Sequence, residues 1–593
     1  MEISHFDSFR TQKFSKDDSK YGIIMSNHYR IYEVTQMKRP MPLGYDDYRM
    51  VRDKNLYLVD KTGFIKELLD RAMQVTLITR PRRFGKSLNM SMLQYFFDVN
   101  GAEANRKLFE GTFIESADDG VYMKSQGKFP VVSMTMKDWT YDDLPSFRAG
   151  FLYQVSSLFM QFNDVVMNSK ANDVKKRRFE AVVNRKADMP DYDGALRFLV
   201  ELLQEIYGRT VVLLVDEYDA PIQYAWSHGY YDDCVSTMRK FLSGALKTNP
   251  SLNFAVLTGV TRVTKESIFS GLNNLTVCSL LRSAYSQWFG FTQAEVNQIA
   301  CDYDAAEKLD EIKNWYDGYR IGNSDVYNPF SVANYFANDM KPEAYWMNTS
   351  SNSILHDLLT HADEKRSDDI KSLLDGKPVV SVLQEGTIYA DLGKNESDLF
   401  TMMLSTGYLK PCKKVGKFGG LDKYELAIPN YEVRRVYADE ILQYLMNEVP
   451  GFEFDNMAAI HDGLIEGKPE LFAKKLENIL GVMVSYNDTW QENFYHGMVL
   501  GLTGLLFEDY EVRSNRESGN GRYDIALFPR GKGAGVIIEL KAADESSIDK
   551  AADEAIRQIK ENDYMAEFCD RNISPVHLYG IAFCGKKFSL KSA

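Results

Sequence analysis

The sequence has 593 residues, more than a single hydrophobic core supports, and we expect about three or four domains. Its 45% apolar and 13% aromatic residues indicate packed globular domains and exclude a largely disordered chain. The net charge of −13 argues against a dedicated DNA coat protein, because the chain could bind nucleic acid only through a local basic patch.

The cysteines and the hydropathy pattern indicate the cellular environment. Six cysteines are scattered without a C-x-x-C pair, which is typical of reduced thiols and not of a disulfide framework or a zinc site. The polar first residues lack the pattern of a signal peptide, and no apolar run reaches the ~18 residues of a membrane span. We therefore expect a cytoplasmic protein with no membrane contact.

Residues 1–40 are polar and predict a loosely structured lead. From 41 to 295, short apolar strands alternate with helices. The predicted strands are 75–79, 129–136, 210–219 and 253–259, and the clearest helices are 87–97 and 195–208. Nearly continuous apolar strands separated by helices are typical of a parallel sheet covered on both faces, and so we predict an α/β fold.

The pattern changes between 296 and 480, where we predict a helical and winged-helix-like region. In it, 398–411 reads as a helix, followed by a Gly-rich turn and a strand at 423–430, and 455–480 is helical. From 481 to 593 the pattern predicts a compact α/β domain: a helix, a strand, a strand pair joined by a Gly-rich turn, and a helix.

The stretch RPRRFGKS at 80–87 ends like a phosphate-binding loop, with Gly85, Lys86 and Ser87 in its last positions. A strand precedes it and a helix follows, so the loop N–H groups and the positive helix end would face the phosphates of ATP. Lys86 would reach the β- and γ-phosphates, and the Ser87 hydroxyl would bind Mg²⁺. Arg80 stands where the pattern has glycine, so the alternatives are a nucleotide site with a changed first residue and a basic loop that caps a helix.

Asp216 and Glu217 end an apolar strand, as in a Walker B motif, in which the aspartate holds Mg²⁺ and the glutamate orients or deprotonates the attacking water. The alternative is an acidic strand end that faces solvent. Thr258 ends the next strand and fits either a γ-phosphate sensor or an ordinary strand-end residue. Arg262 fits a stabiliser of transition-state charge or a structural arginine.

Four further residues belong to this predicted site. Asp219 either adds to the acidic cluster or caps the following turn. Arg82 and Arg83 are expected to face phosphates or a partner, because two adjacent arginines are rarely buried together. Phe84 is included as a member of the loop. We expect at least one of the loop arginines to face the nucleotide phosphates or a nucleic acid.

A second site is predicted in a hairpin near the C-terminus. Asp524 lies near the start of one strand, and Glu539 and Lys541 lie two residues apart on the paired strand, so they share a face. Two carboxylates suit Mg²⁺, and the lysine suits charge that develops during phosphodiester cleavage. The alternative is a salt-bridged hairpin.

Neighbouring residues extend this second site. Glu492 precedes a helix and is an additional candidate metal ligand, and His496 on that helix is more typical of a structural histidine. Arg516 and Arg522, with Lys541, form a basic edge suited to phosphate.

The order D-x14-E-x-K of Asp524, Glu539 and Lys541 resembles the PD-(D/E)xK nuclease superfamily, and Gln558 and Tyr564 fall where many members place a Gln/Tyr pair beside the site. Residues 38–590 as a whole are similar to the bacterial AAA-ATPase-like family with a C-terminal nuclease domain of this superfamily. The segments that carry this resemblance are 57–69, 77–93, 211–222, 259–275, 315–332 and 514–541.

The resemblance implies that RPRRFGKS is the family's own form of the phosphate loop. It also implies a P-loop NTPase core near the STAND-type branch, helical or winged-helix modules, and a restriction-endonuclease-like α/β domain.

Three functions follow as hypotheses. The first is an ATP-binding, Mg²⁺-dependent DNA nuclease gated by nucleotide state, with a role in defence or mobile-element biology taken from the domain pairing alone. The second is a STAND-like switch that forms a homo-oligomer and uses the nuclease-like domain only to bind nucleic acid or a partner. The third is an ATPase that acts on DNA or protein without cutting.

Overall fold

The computed structural model describes residues 38–262, 268–269, 272–346, 376–383, 396–448, 454–483, 509–518 and 521–593, with single positions between them. Residues 41–593 form one compact unit.

The first sheet is entirely parallel. Its strands are β1 (Val75–Thr79), β2 (Val131–Thr135), β3 (Val211–Asp216), β4 (Leu252–Gly259) and β5 (Leu275–Cys278). The spatial order is β2-β3-β4-β1-β5, so β1 lies between β4 and β5. This confirms the parallel sheet that the apolar runs predict. Strand β5 was not predicted, because this short edge strand is only partly buried and lacks an apolar run.

Helices cover both faces of this sheet. They are α1 (Tyr48–Asp53), α2 (Gly63–Arg71), α3 (Lys86–Phe97), α4 (Ala102–Arg106), α5 (Phe113–Ser116), α6 (Leu144–Met160), α7 (Asn163–Met167), α8 (Asp173–Val183), α9 (Met189–Asp193), α10 (Ala195–Tyr207), α11 (Ala220–Ser227) and α12 (Tyr231–Leu246), with 3₁₀ turns at Lys107–Phe109 and Ala117–Ser125. Successive residues of β3 alternate between two hydrophobic clusters: Leu213 packs in one, and Val212 and Leu214 pack in the other. A strand buried on both faces needs no polar alternation, which explains its continuous apolar sequence.

The middle region combines helices with small sheets. It contains α13 (Gln293–Asp302), α14 (Leu309–Tyr316), β6 (Tyr319–Ile321), β7 (Ser324–Val326), α15 (Pro329–Ala337), β8 (Val379–Val382), α16 (Glu396–Thr406), β9 (Lys410–Phe418), β10 (Leu421–Ala427) and α17 (Tyr431–Glu448), with a 3₁₀ turn at Ala306–Lys308. Strands β8, β10 and β9 form an antiparallel sheet in that order.

The predicted Gly-rich turn after residue 411 is wrong for most of its length, because 410–418 is strand β9 and the turn is confined to Gly419 and Gly420. The sequence misleads here because β9 is exposed on both faces from Lys413 onward and so shows no alternation.

The C-terminal sheet is mixed. Its elements are α18 (Phe454–Ile465), α19 (Pro469–Met483), β11 (Tyr510–Ser518), β12 (Gly521–Pro529), β13 (Gly535–Ala542), α20 (Ile548–Glu561), α21 (Ala566–Asp570), β14 (Val576–Cys584) and β15 (Lys587–Ser592), and the strands lie in chain order. Only the β13–β14 pair is parallel. The predicted hairpin is therefore confirmed, and β14 and β15 are additional strands.

Helices α18 and α19 pack on this C-terminal sheet. The Tyr579 hydroxyl on β14 donates to the Gly463 and Leu464 carbonyls at 3.1 and 3.0 Å, and the Phe472 ring lies 6.0 Å from the Tyr579 ring. The predicted domain boundary between 480 and 481 thus separates elements that contact each other. No helix among the described residues is both long and apolar enough to cross a bilayer.

Candidate functional site

The loop at 80–87 connects β1 to α3 at the carboxyl edge of the parallel sheet. Gly85 caps α3 with a left-handed backbone (φ 75°), a conformation that glycine adopts without strain. Lys86 is almost fully buried, and its Nζ donates to the carbonyls of Arg80 and Pro81 at 3.1 and 2.8 Å. The loop therefore folds around the lysine ammonium, at the N-terminal end of α3.

Arg80 is a structural residue and does not face the interior of the loop. Its side chain is 0% exposed and lies 5.4 Å from the Phe289 ring. The guanidinium donates to the carbonyls of Thr79 (2.8 Å), Cys278 (2.7 Å), Ala284 (3.3 Å) and Tyr285 (3.3 Å). Burial lowers its pKa only to about 10, so it stays charged at neutral pH. Arg80 thus ties the end of β1 to the segment after β5.

The next three loop residues contact other parts of the protein. Arg82 Nη2 is 3.5 Å from Gln223 Oε1. Arg83 has a left-handed backbone (φ 69°) and stacks on Phe330 at 4.5 Å. Phe84 is buried, with its ring 5.0 Å from that of Tyr319, so only its backbone is available to a phosphate.

Asp216 joins the loop to the neighbouring strands. Its Oδ2 accepts from the Ser87 hydroxyl at 2.5 Å, and its Oδ1 accepts from the Thr258 hydroxyl. Three residues far apart in sequence therefore meet at the ends of adjacent parallel strands and the start of α3. A carboxylate and a hydroxyl are hard oxygen ligands of the kind Mg²⁺ prefers, so Ser87 and Asp216 fit one Mg²⁺.

Glu217 follows Asp216 with a left-handed backbone (φ 53°) and a half-buried side chain. This conformation is uncommon outside glycine, and strain of this kind concentrates at functional sites. Burial raises the pKa of Glu217, and the Lys86 ammonium opposes that shift. The glutamate therefore lies at the loop with its charge partly balanced by the buried lysine.

Asp219 anchors the segment after β4 and makes no side-chain capping hydrogen bond to α11, the helix that follows it, so the predicted cap of the following turn is not observed. Its Oδ2 accepts from the Val260 and Thr261 backbone N–H groups at 3.0 and 2.7 Å. A Cβ on Gly259 would lie 2.6 Å from Asp219 Oδ1, so this close approach requires glycine. Sequence reasoning missed this anchor, because nothing in the spacing of 219 and 261 marks them as neighbours.

Arg262 follows this anchored segment and lines a cleft of about 540 Å³ with residues of α16. Asp219 thus fixes the start of the segment that carries Arg262. The arginine belongs to the described residues, but 263–267 do not.

Lys86 carries the main positive charge in this acidic cluster. Burial lowers its pKa, while the carboxylates of Asp216, Glu217 and Asp219 act in the opposite direction. A buried ammonium enclosed by loop carbonyls beside three acids is suited to a polyanion that arrives with a cation, as ATP does with Mg²⁺.

The second site lies on the β12–β13 hairpin. Ile525 pairs with Ile538, which sets Asp524 beside Glu539. The Asp524 Oδ2 accepts from the Leu540 backbone N–H at 2.7 Å, and the Asp524 N–H lies 3.4 Å from Glu539 Oε2. Lys541 Nζ donates to Glu539 Oε1 at 3.2 Å. The predicted juxtaposition of the three residues is therefore present.

Electrostatics at this pair favour a cation. Glu539 is 2% exposed, and its pKa is raised to about 8, first by burial and then by the Asp524 carboxylate, against the effect of Lys541. Two carboxylates that cannot both ionise cheaply are a strong acceptor for a divalent cation, and their oxygens suit Mg²⁺. The pair fits the metal on this chemistry.

The structure describes only some of the residues predicted to lie beside the second site. Gln558 Nε2 donates to the Tyr564 hydroxyl at 3.1 Å, and the Tyr564 ring packs edge-on against Tyr523, next to Asp524. Glu492 and His496 lie outside the described residues, as do the side chains of Arg516 and Arg522. Among the described residues, both candidate sites included, His, Cys, Asp and Glu side chains form no group of three or more suited to a metal.

Comparisons with known proteins match the two parts of the chain that contain these sites. Residues 42–269 match the AAA-ATPase-like family, described as a predicted AAA-ATPase, and residues 490–593 match the PD-(D/E)XK nuclease superfamily. A protein of Azotobacter chroococcum mcd 1, described as an uncharacterized protein in the vnfD 5′ region, is 26% identical over 566 residues, which are 92% of this chain and 96% of that protein.

Proposed function

Because the chain carries an AAA-ATPase-like domain and a PD-(D/E)XK nuclease superfamily domain, we propose that it binds and hydrolyses ATP at the first site and cleaves DNA at the second. The observation that carries the proposal is that each site brings two acids together with a lysine: Asp216 and Glu217 with Lys86, and Asp524 and Glu539 with Lys541. We also propose Mg²⁺ as the metal of both sites.

At the first site, Lys86 and the N–H groups around Gly85 bind the β- and γ-phosphates. Ser87 and Asp216 hold Mg²⁺, which when bound offsets phosphate charge. Glu217 orients the attacking water, and its raised pKa makes it a better acceptor for a proton from that water. Thr258 holds Asp216 in place, and Arg262 approaches the γ-phosphate from the segment that Asp219 anchors.

At the second site, Asp524 and Glu539 hold the metal, which when bound polarises the scissile phosphate and acidifies water. Lys541 stabilises the charge that develops on phosphate oxygens as the leaving oxygen departs. The buried position of Glu539 excludes water from one side of the pair and keeps the carboxylate fixed.

Nucleotide state gates the nuclease in this proposal. Support comes from three contacts that join the phosphate loop to the middle region, which lies between the two domains in sequence. Arg83 stacks on Phe330, Phe84 packs on Tyr319, and a Cβ on Gly407 would lie 3.0 Å from Pro81 Cβ. A loop that shifts when it binds phosphate therefore moves against elements outside its own domain.

These same contacts favour one second candidate, a STAND-like nucleotide switch in which the nuclease-like domain only binds nucleic acid or a partner. Slow ATP turnover, nucleotide-dependent assembly into a homo-oligomer and no cleavage of any substrate are its expected signature. The cytoplasmic location and the role in defence or mobile-element biology remain part of the proposal.

The test is cleavage of end-labelled duplex DNA with Mg²⁺ by the wild type and by Glu539→Ala and Lys541→Ala variants. We expect the wild type to cut and both variants to fail, while all three bind ATP equally. Equal cutting by all three proteins would refute the assigned nuclease site. Absence of cutting by the wild type on every duplex, single-stranded and RNA substrate would favour the switch.

A further inference from the structure

The hairpin of β9 and β10 extends beyond the sheet to which it belongs. Strand β8 pairs with Lys423–Leu426 of β10, so the remainder of the hairpin toward Gly419 and Gly420 is a ribbon of two strands. Lys413 through Gly420 are all exposed. We call residues 413–423 the wing.

The pairing register divides the wing into two faces. Leu426 is buried and sits opposite Pro411, which makes their face of the ribbon the inner one. Phe418 pairs with Leu421 and Lys423 pairs with Gly416, and these residues lie on the outer face, together with Lys413. The outer face therefore presents Lys413 and Lys423, with Glu425 opposite Lys413, and two apolar side chains at its tip.

The charge of this hairpin is opposite to that of the whole chain. The segment 410–427 has five lysines and two acids, while the chain carries −13. Lys414 pairs with Asp422 at 2.6 Å, and Lys417 is 4.0 Å from the same carboxylate. In the described part of the chain, Lys413 and Lys423 form no ion pair, although Glu425 lies opposite Lys413. Arg282 lies close enough to Lys414 and Asp422 to interact with both charges.

Lysines alone have an ordinary explanation, since they protect sheet edges from pairing with other strands. The apolar side chains at the tip of the wing do not fit this explanation. Phe418 is 74% exposed, the most exposed of the large apolar side chains among the described residues, and Val415 and Leu421 are exposed beside it. An exposed aromatic within a basic ribbon serves contact with a partner and not solubility.

We propose that the wing is a docking surface for duplex DNA. A two-stranded ribbon fits a groove of the duplex, lysines on its outer face meet phosphates, and an aromatic tip packs on sugars or between base steps. The chain as a whole is acidic, so a positive surface of this kind helps to set where the duplex docks. The inference rests on the proposed function, because a DNA-cleaving chain needs such a surface.

The wing is also connected to the phosphate loop. Lys410 and Pro411, at the base of the hairpin, line one narrow crevice with Pro81 and Phe84 of the loop. A duplex held by the wing therefore acts on the module that packs against the nucleotide site, so we expect it to change the rate of ATP hydrolysis.

The test measures binding of a fluorescein-labelled 30-base-pair duplex by anisotropy, with full-length protein and without divalent cation. The wing variant is Lys413→Glu/Lys423→Glu, and the matched control is Lys124→Glu/Lys128→Glu, two exposed lysines of the first domain with the same change in charge. We expect the wing variant to bind at least about 10-fold more weakly and to show a smaller salt dependence, and the control to stay within about twofold of the wild type. Phe418→Ala should weaken binding about 3-fold or more, and Lys413→Arg/Lys423→Arg should restore it.

Unchanged melting temperature and ATP affinity will show that the wing variant is folded. Equal DNA binding by the wing variant and the control overturns the proposal, as does absence of DNA binding by the wild type. The proposal is also overturned if the wing variant loses binding to phosphatidylserine vesicles while its DNA binding is unchanged.

The outcomes also separate this proposal from the proposed nuclease. Wing-dependent binding without any cleavage refutes only the nuclease. Cleavage by the wild type with unaltered binding by the wing variant refutes only the wing.

Discussion

The two candidate sites use the same residue types but balance their charges differently. At the first, Asp216 accepts hydrogen bonds from two hydroxyls and lies near a fully buried lysine. At the second, two carboxylates share one half-exposed lysine, and the pKa of Glu539 rises to about 8. At the first site, hydroxyl donors and a buried ammonium stabilise the ionised aspartate. At the second, Lys541 does not offset burial and the Asp524 charge, so the pair is suited to a cation.

Glu217→Gln should show the largest effect at the first site. It removes the water-orienting carboxylate and keeps the shape, so we expect ATP hydrolysis to fall on the order of 1,000-fold while ATP affinity changes little. A phosphate-release assay and calorimetry measure the two quantities. Glu201→Gln, which alters an exposed ion pair with Arg197, is the control and should leave both unchanged. Hydrolysis at the wild-type rate in Glu217→Gln would remove this residue from the mechanism.

Lys86→Ala should lower ATP affinity by about 100-fold or more, because the loop loses its buried charge toward the phosphates. Calorimetry with ATP and Mg²⁺ measures this, and Lys124→Ala, at an exposed position, is the control. DNA binding should persist in Lys86→Ala, since the nuclease-like domain has its own lysine, Lys541. Retained ATP affinity would show that the loop is not the nucleotide site.

Arg80→Gly recreates the glycine of the standard phosphate-loop pattern and yet should harm the protein. Four carbonyls lose a buried charged donor, which we expect to cost about 3 kcal/mol of stability. The melting temperature of this variant should drop, and ATP affinity should not improve. Arg82→Gly is the matched control for the melting temperature alone, because that side chain has one 3.5 Å contact, with Gln223. A gain in ATP affinity without a loss of stability would contradict the structural role of Arg80.

A pH dependence distinguishes the second site. The pKa of Glu539 is about 8 in the folded protein and 4.5 ordinarily. The protonated side chain therefore contributes its full stability to the fold below pH 4.5, and this contribution is lost as pH rises toward 8. Without divalent cation, the melting temperature of Glu539→Gln should therefore rise relative to that of the wild type as pH increases from 4.5 to 8. The pKa of Glu432 is also raised to about 8, but this residue titrates in both proteins, so its contribution cancels in the difference between their melting temperatures.

Mg²⁺ gives the companion measurement to this pH dependence. Its affinity for the wild type should increase with pH up to about 8, because the metal displaces the Glu539 proton. A melting difference between wild type and Glu539→Gln that does not change with pH would show that the carboxylate pair is not coupled.

Local sequence predicted those features that depend on short segments. Buried parallel strands need continuous apolar runs, so β1, β3 and β4 and the acids that follow them were found. The hairpin that pairs Asp524 with Glu539 was found because its alternation and its Gly-rich turn lie together.

Features that depend on distant contacts were not predicted. Arg80 binds carbonyls about 200 residues away, beside a strand too short to show a pattern, and nothing near it marks that partner. Strand β9 has two exposed faces, so its sequence predicts a turn. The left-handed backbone of Glu217 is imposed by its surroundings and not by its residue type.

The most direct test of the account is the rate of Mg²⁺-dependent DNA cleavage with ATP and without nucleotide, for wild type and Lys86→Ala. We predict that ATP changes the wild-type rate by about 10-fold or more, a coupling of about 1.4 kcal/mol, and that it leaves the rate of Lys86→Ala unchanged. Cleavage by the wild type at one rate in both conditions would contradict the claim that the two sites work together.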